Sequence, residues 1–516
     1  MASRSRPSLV AQIVGLTLAF CGAGMTLSAL VEVIYGDTSD WQVLGLAGLI
    51  SAALGYAMRT LTSVPDRILR LDVFVSVTSA WLAMAAVGAI PFLLTGTITS
   101  LDMAVFESVS GFTTTGATVL RSGSDPTVFD ASVGLLFWRS VTQWLGGMGV
   151  IVLVVAVLPS VGSWGMGLLE AEAPGPTGER LTPRVTHTAQ HLWAFYLGFT
   201  VLTFLGYLIA GMNVYDAASH ALTTVSTGGF SRYTLSMAHF ESAAVEWVAI
   251  MAMFIAGSSF TLLYRLVRGK PGPLLRSVEF RLYVAVVAAA TTIVFFSAGA
   301  EHLSSVGFRN SLFTVLAVVS TTGYGTADFV GEWAPAAQSV LLILMPVGAM
   351  AGSTAGGVKL VRVLAVASLA HRETLAQLHP QLVRPVRVGT TLIDDRVVNR
   401  VVGFLILVLA AFGGGGLLIA LTGEDIVTAF SASATTLGNV GPGLGDVGPR
   451  SDFAGLTVFA RLVCVANMLL GRLEIYPILL ALVKLPVPGL RPALSRVFRH
   501  SSDLHLGSRS GTAPSR

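Results

Sequence analysis

The sequence has little charge and almost no cysteine. Only 12% of its 516 residues are Asp, Glu, Lys or Arg, whereas 53% are hydrophobic. With a mean hydropathy of +0.74, the chain cannot bury its apolar surface in a water-soluble core, which predicts an all-α polytopic membrane protein. The two cysteines, Cys21 and Cys464, lie in apolar runs, and this excludes a disulfide framework and a thiolate metal cluster.

Enzyme motifs are also missing from the sequence. It has no glycine-lysine phosphate loop, no paired His/Glu metal motif and no Ser/His/Asp set at one membrane face. We therefore expect that the protein is not an enzyme, has no organic cofactor and binds no nucleic acid. Any control by a nucleotide would come from a separate subunit.

Long apolar runs divide the chain into an N-terminal pair and a repeated unit. The pair covers about residues 10–34 and 41–61, and each run can cross a bilayer at roughly 20 residues per span. A cleaved signal peptide is the alternative for the first run, but that run is longer than the apolar core of a signal and a second span follows at once. We therefore favour a retained helix.

From residue 71 the chain repeats a span, a short apolar piece and a second span. The spans cover about residues 73–94 and 131–158, 192–210 and 243–267, 282–296 and 335–369, and 398–421 and 453–483, and the short pieces cover 102–112, 216–225, 310–319 and 424–435. We expect a two-helix extension (1–70), four pseudo-symmetric pore repeats around one central pore (71–160, 161–270, 271–372 and 373–485) and a disordered cytoplasmic tail (486–516).

Basic residues predict the orientation of these spans. The proposed outer segments contain only four basic residues, Arg121, Arg232, Arg309 and Arg450, against about fifteen acidic ones, whereas the inner loops are rich in Arg. This asymmetry places both termini in the cytoplasm. It also predicts a negatively charged outer vestibule that concentrates cations.

Each short piece ends in small and hydroxyl residues that include a glycine. Aligned on one glycine, these loops run Thr-Thr-Thr-Gly-Ala-Thr at 113–118, Val-Ser-Thr-Gly-Gly-Phe at 225–230, Thr-Thr-Gly-Tyr-Gly at 321–325 and Thr-Thr-Leu-Gly-Asn-Val at 435–440. Asp102, Asp216, Asn310 and the pair Glu424 and Asp425 are the expected helix starts. Each piece is therefore predicted to be a half-length helix that points its carboxyl end toward the membrane centre.

Four such helix ends would stabilise a cation, because a helix carboxyl end carries partial negative charge. Irregular backbone is tolerated at membrane depth where it is buried or lines a wet cavity, and glycine permits the close approach of four loops. A single Gly-Tyr-Gly is more often a packing or loop element, but four glycines after four half-length helices favour a ring of carbonyls that replaces the hydration shell of an ion.

The expected ion ligands are backbone carbonyls of these loops. They belong to Thr114, Thr115, Gly116, Thr227, Gly228, Thr322, Gly323, Gly438 and Asn439. We expect Tyr324 to pack behind its loop, and Glu107 and Gln143 to form hydrogen bonds behind the first loop rather than bind the ion. Leu437 replaces a hydroxyl residue in the fourth copy, so the fourfold symmetry is only approximate.

The four loops and the run Leu-Gly-Gly-Met-Gly at 145–149 resemble the Trk/Ktr/HKT superfamily of potassium transporters. The N-terminal pair, Glu-Ala-Pro-Gly-Pro at 172–176, Leu-Thr-Pro-Arg at 181–184 and His-Pro at 379–380 resemble its TrkH branch. This resemblance covers nearly the whole chain. It implies potassium uptake through a pseudo-fourfold pore in the inner membrane, a homodimer in lipid, and a cytoplasmic nucleotide-binding partner of the TrkA type. The dimer and the partner rest on the resemblance alone.

A glycine-rich run at 348–357 interrupts the long second helix of the third repeat. Each glycine costs a helix roughly 1 kcal/mol relative to alanine, so we expect the run to unwind where it faces the pore. A flexible kink between packed helices is the alternative. The resemblance implies an intramembrane loop that obstructs the pore beneath the filter, with gate residues Gly348, Gly352, Ser353, Thr354, Gly356 and Gly357.

Arg472 lies in the middle of a predicted span, where an ionised side chain usually faces a partner or water. A cation below a cation filter adds an electrostatic barrier, and the resemblance places a matching arginine there. A salt bridge with Glu474 or an anchor at the inner face is the alternative. We hypothesise that Arg472 and the loop form the gate, and we expect Lys359 and Arg362 to end the broken helix at the inner face.

In plant relatives, a serine in place of the first filter glycine accompanies sodium preference. This chain has glycine at 116, 228, 323 and 438, so potassium is the favoured ion, with rubidium as a surrogate. An alternating-access, cation-coupled secondary transporter stays the alternative, because broken helices also mark the binding sites of such transporters. That alternative predicts inverted halves, whereas these repeats share one topology. Passive flux and coupling to protons or sodium are both compatible with the sequence.

Overall fold

The computed structural model describes residues 6–65, 70–122, 125–161, 184–379, 385–389 and 391–484. Residues 172–176 and 181–183, Pro380 and the predicted tail at 486–516 lie outside the described residues. The described chain is mainly helical. Its short strands form two pairs, β1 (Arg6–Pro7) parallel to β2 (Thr62–Ser63) and β3 (Val386–Val388) antiparallel to β4 (Thr391–Ile393).

The helices follow the predicted repeat. The N-terminal pair is α1 (Leu9–Tyr35) and α2 (Asp40–Leu61), and the first unit contains α3 (Arg70–Leu94), α4 (Leu101–Phe112) and α5 (Val133–Val161). The second unit contains α6 (Arg184–Ile209), α7 (Val214–Val225), α8 (Ala243–Ala256) and α9 (Phe260–Val267), followed by a short linker helix, α10 (Gly272–Arg276). The third contains α11 (Val278–Ser297), α12 (Ser305–Val319), α13 (Pro335–Leu344) and α14 (Leu360–Leu378), and the fourth α15 (Asp395–Ala420), α16 (Ile426–Gly438), α17 (Val458–Arg472) and α18 (Tyr476–Lys484).

Several of these helices can span a membrane. Within the described residues, six helices are long and apolar enough to cross, and a seventh crossing is added if α8 and α9 count as one bent span. The helices α4, α7, α12 and α16 have only 12 to 15 residues, which is too short for a crossing. The prediction of a helical polytopic membrane protein is confirmed.

Two second helices are broken where the sequence predicted continuous spans. α8 and α9 meet at an angle of 107° across residues 257–259, and α17 and α18 are separated at residues 473–475. Glu474 and Ile475 have left-handed backbone conformations, with φ of 59° and 57°. In the third unit the interruption is wider than the predicted glycine run, because α13 ends at Leu344 and α14 begins at Leu360.

The half-length helices begin earlier than predicted in three of the four units. Their N-cap residues are Ser100, Asn213, Ser304 and Asp425. Asp102 and Asp216 lie instead in the first turn, where an acidic side chain complements the helix dipole, and Asn310 lies inside α12. The short side chains of Asn213 and Ser304 cap their helices by accepting backbone N–H bonds, so they displaced the later polar residues as helix starts.

The N-terminal pair is integrated into the helical body. α1 packs against α2, α3 and α5. Gly22 and Gly48 face each other between α1 and α2, where a Cβ atom on either would overlap the opposite backbone. The buried Glu32 carboxylate accepts hydrogen bonds from the Thr38 hydroxyl at 2.6 Å and from the Gly134 N–H in the first turn of α5 at 2.5 Å. This carboxylate therefore supplies a backbone partner at the start of α5.

Candidate ion-binding site and gate

The loops that follow the four half-length helices share one backbone conformation. The residue in left-handed conformation just after each helix is Thr114, Thr227, Thr321 or Asn439, with φ between 53° and 58°. Two residues later comes a second left-handed position, occupied by Gly116, Gly229, Gly323 or Gly441 with φ between 75° and 109°. The shared pattern gives a structural alignment that does not depend on side-chain identity.

These four glycines lie against one another in a closed ring. A Cβ on Gly116 would overlap the carbonyl oxygen of Gly228, and one on Gly229 would overlap that of Thr322. In the same way Gly323 faces Val440 O, and Gly441 faces Thr115 O. Each glycine thus faces the carbonyl just before the equivalent glycine of the following unit, and the fourth unit returns to the first. Glycine is required at these positions both by φ and by this close approach.

The ring changes the register predicted for two loops. In the second loop the equivalent of Gly116 is Gly229 rather than Gly228, and in the fourth it is Gly441 rather than Gly438. Leu437 lies inside α16, so it is not the residue that breaks the hydroxyl pattern. The counterparts of Thr115 and Thr322 that lack a hydroxyl are Gly228 and Val440.

The sequence alignment therefore missed Gly229, Thr321, Val440 and Gly441. The second and fourth loops each contain two glycines, and the sequence gave no reason to prefer the later one. Counting from the last helical residue gives the right register in all four loops, but that residue depends on where each helix ends.

Hydrogen bonds behind the loops hold their backbone in place. The hydroxyls of Thr113 and Thr115 are 2.7 Å apart, and the Asn439 amide donates to Thr115 Oγ1 at 3.0 Å. Tyr324 is only 1% exposed, and its hydroxyl lies 2.5 Å from that of Thr223, so the prediction that it packs behind its loop is confirmed. Thr114 Oγ1 and Asn439 Oδ1 are buried without a hydrogen-bond partner in the described chain, which leaves two oxygens free at the inner end of the ring.

Glu107 and Gln143 form hydrogen bonds, as expected. Glu107 binds Arg139 at 2.7 Å, and Arg139 also donates to the Ser231 carbonyl at 3.0 Å. Gln143 donates to Gly228 O at 2.6 Å and accepts from Phe230 N at 3.0 Å, so it supports the second loop rather than the first. Because the Gly228 carbonyl already accepts this bond, it has less capacity left for an ion.

A cavity of about 490 Å³ opens on one side of the ring. Its lining includes Arg121, Arg139 and Arg450 together with one acidic residue, Asp452, within the part of the chain that the structure describes. The predicted negatively charged vestibule is therefore wrong for this lining. The four outer arginines pair with acids, as Arg121–Asp452 at 3.6 Å, Arg232–Asp216 at 3.9 Å, Arg450–Glu332 at 3.2 Å and Arg309–Glu246.

The segment between α13 and α14, residues 345–359, lies against the inner end of the ring; we call it the gate loop. Its Gly356 N–H donates to Thr321 Oγ1 at 2.7 Å, and its Thr354 hydroxyl donates to Val225 O at 3.1 Å. A Cβ on Gly356 would also overlap the carbonyl oxygen of Gly438. The loop thus contacts the carboxyl ends of the second, third and fourth half-length helices. It bends at the left-handed residues Gly348, Gly352 and Gly357, with φ between 72° and 75°.

Arg472 contacts the gate loop directly. It is 4% exposed, and it donates to Thr354 O at 2.9 Å and to Gly146 O at 3.4 Å. Glu474 pairs with Arg362 at 2.8 Å instead, so the alternative of an Arg472–Glu474 salt bridge does not describe this structure. Lys359 precedes α14 and donates to Ala355 O at 2.5 Å, so it faces the gate loop rather than ending a helix.

Comparisons with known proteins cover almost the whole chain. The profile of the TrkH family, described as a cation transport protein, matches residues 46–490. The Trk system potassium uptake protein TrkH of Halomonas elongata is 34% identical over 91% of this chain and 97% of its own length. TrkG of Escherichia coli K12 is 34% identical over 79% and 84%. The crystal structure of the potassium transporter TrkH from Vibrio parahaemolyticus superposes with a TM-score of 0.83 at 32% identity, covering 94% of this chain and 99% of that one.

Proposed function

Because the chain belongs to the TrkH family of cation transport proteins, we propose that it carries potassium into the cell across the cytoplasmic membrane. The family is one of transporters, and the curated relatives that match are named as potassium uptake proteins of Trk systems. Potassium is here the transported ion.

The closed ring of four glycines carries the proposal that the loops form a selectivity filter. Four backbone segments of the same conformation meet at one place, and each follows the carboxyl end of a half-length helix. Carbonyl oxygens and partial negative charge converge there, and this combination can replace the hydration shell of a monovalent cation.

The structural alignment refines the proposed ligands. Thr114, Thr115, Gly116, Thr227, Thr322, Gly323 and Asn439 keep their proposed role as sources of ion-binding oxygens, and Gly229, Thr321, Val440 and Gly441 join them. Gly438 ends α16 and faces Met345 of the gate loop, so we propose that it shapes the gate rather than the filter.

The gate loop and Arg472 form the proposed gate. The loop lies directly against the inner end of the ring, and the buried guanidinium group holds the loop through Thr354 O. A fixed positive charge at this depth raises the barrier for a cation, so opening requires that both the loop and Arg472 move.

Regulation and assembly follow from the family resemblance. We propose a homodimer embedded in lipid, controlled by a cytoplasmic nucleotide-binding subunit of the TrkA type. With ten crossings, counting each broken second helix as one, both termini lie in the cytoplasm. The basic residues of the proposed inner loops support this orientation.

Flux through purified protein in liposomes tests the proposal. Potassium and rubidium should enter faster than sodium, with and without an imposed pH gradient, and a candidate partner should change the rate. Equal sodium and potassium rates would contradict the selective filter. Uptake that occurs only against a counter-gradient of protons or sodium, and that saturates as one ion per cycle, would favour the alternating-access alternative instead.

A further inference from the structure

A buried glutamate at the start of α11 reaches the gate loop. Glu279 lies in the first turn of α11 and is 2% exposed. Its Oε1 atom accepts the N–H of Ala351 at 2.7 Å and the N–H of Val361 at 3.1 Å. One carboxylate oxygen therefore joins the middle of the gate loop to the beginning of α14.

Val361 is the second residue of α14, and the first N–H groups of a helix have no partner within that helix. The N-cap residue Lys359 makes no side-chain cap bond, and its own backbone is left-handed, with φ of 72°. The Glu279 carboxylate supplies the missing acceptor from a neighbouring helix. Its negative charge also complements the positive end of the α14 dipole.

The same oxygen fixes the loop beside two backbone contacts from the second unit. Met350 N donates to Gly257 O at 3.1 Å, and Phe260 N donates to Gly352 O at 3.0 Å, both at the break between α8 and α9. Ala351 lies between these bonds. Glu279 therefore closes the stretch of the loop that the break between α8 and α9 borders.

We propose that Glu279 is a latch, a positioning residue that holds the gate loop against the ring in its obstructing conformation. The proposal rests on the gating role proposed above. Glu279 follows α10 and its flanking linker by only three residues, so a displacement of that linker would draw the carboxylate away from Ala351 N and Val361 N together. The closed loop would then lose its cap and its central anchor in one step.

Thiol labelling of the loop tests the latch without any transport measurement. Cys21 and Cys464 are both buried, so a Ser353→Cys variant provides one reporter in the gate loop. We expect a water-soluble maleimide to react about tenfold faster or more when Glu279→Ala is added, because two charge-assisted bonds are lost. Glu279→Gln keeps an acceptor but not the charge, and should raise the rate by only about threefold.

Glu32→Ala is the matched control. Glu32 is also a buried glutamate that accepts a backbone N–H near a helix start, but its hydrogen bonds go to Thr38 and Gly134, away from the gate loop. This variant should leave the labelling rate of Ser353→Cys unchanged. Equal rates with and without Glu279→Ala would overturn the latch. If Glu279→Ala yields no folded protein, an unchanged rate in Glu279→Gln would overturn it.

Basal potassium flux then separates the two proposals. We expect Glu279→Ala to raise flux in the absence of any partner by about tenfold, and Glu279→Gln to raise it less. A wild-type protein without selective flux would contradict the proposed function, whatever the labelling shows. Selective wild-type flux with unchanged basal flux in Glu279→Ala would contradict the latch alone.

Discussion

At the residue scale, Gly438 and Gly441 are the most informative pair. Both lie in the fourth loop, but Gly438 is the last residue of α16, whereas Gly441 is left-handed with φ of 109°. A Cβ on Gly438 would overlap Met345 O beside the gate loop, and one on Gly441 would approach Thr115 O within 2.7 Å, inside the ring. Two glycines three residues apart therefore have separable roles.

Alanine substitution should separate them. We expect Gly441→Ala to reduce the ratio of potassium to sodium flux about tenfold, since strain and overlap of more than about 1 kcal/mol fall on the ring. Gly438→Ala should keep that ratio but change basal flux, because it displaces the gate loop. Liposome flux with each ion measures both. The reverse pattern would restore the register first predicted from the sequence.

The first loop provides a second residue-scale prediction. We expect Gly116→Ser to lose potassium preference, because a side chain there overlaps Gly228 O of the neighbouring loop and a left-handed φ of 81° disfavours it. Rubidium and sodium uptake, each at equal protein amounts, measure the change. Gly96→Ser is a suitable control, since Gly96 is also left-handed but has open space around it. Unchanged relative uptake in Gly116→Ser would count against the ring as the selective element.

Arg472 tests the gate at the same scale. Arg472→Ala should raise basal flux about tenfold or more, because it removes a buried charge below the filter and the bond to Thr354 O. Arg472→Lys keeps the charge but cannot hold Thr354 O and Gly146 O with the same planar group, so its flux should be intermediate. If both variants behave as wild type in flux and in regulation, Arg472 is not part of the gate.

At the element scale, the sequence predicted which segments are helical but not where several of them break or begin. The half-length helices and full spans were evident from run length and from the hydroxyl-glycine endings. The breaks were not, because residues 243–267 and 453–483 are apolar throughout apart from Gly-Ser-Ser at 257–259 and Glu474. Those polar residues were the available signal. Their contacts with the gate loop and with Arg362 depend on tertiary packing that no local pattern contains.

The cap of α16 is the element for which the sequence prediction held. Asp425 accepts the N–H groups of Val427 at 2.7 Å and Thr428 at 3.0 Å, and its other oxygen accepts the Thr428 hydroxyl at 2.6 Å. The hydrogen bond from the Thr428 side chain, with backbone bonds from Thr428 and Val427, lowers the pKa of the Asp425 carboxyl. The cap is therefore charged at neutral pH.

Asp425→Ala should destabilise the protein by about 1 kcal/mol, with Asp425→Asn as the control that keeps a capping side chain. Because the folded-state pKa is depressed, the cap contributes fully above the unfolded-state pKa of about 3.9 and loses its contribution as pH falls through the folded value. The difference in thermal stability between wild type and Asp425→Ala should therefore be constant from pH 5 to 8. A difference that disappears already within that range would contradict the capping role.

At the scale of the whole molecule, the ring depends on all four units of one chain, whereas the N-terminal pair supports only the outside of this body. α1 packs against α3 and α5, and Gly24 lies against Trp138 and Val141 of α5. Trp138 in turn lies edge-on to Phe112 at the end of α4, with ring centroids 6.1 Å apart. The pair therefore reaches the first loop only through one layer of side chains.

Deleting residues 1–63 tests this division of the molecule. We expect a large loss of thermal stability, because the deletion exposes the faces of α3 and α5 and leaves Gly134 N without the Glu32 carboxylate. The protein that stays folded in detergent or lipid should keep its ratio of rubidium to sodium flux, since the four ring glycines and their carbonyl contacts all lie after residue 63. Glu32→Ala alone should reproduce a smaller part of the stability loss with the same ion preference. A truncated protein that is stable but unselective would show that the N-terminal pair shapes the filter itself, because Phe112 and Trp138 would then transmit the change to Thr113 and the loop that follows.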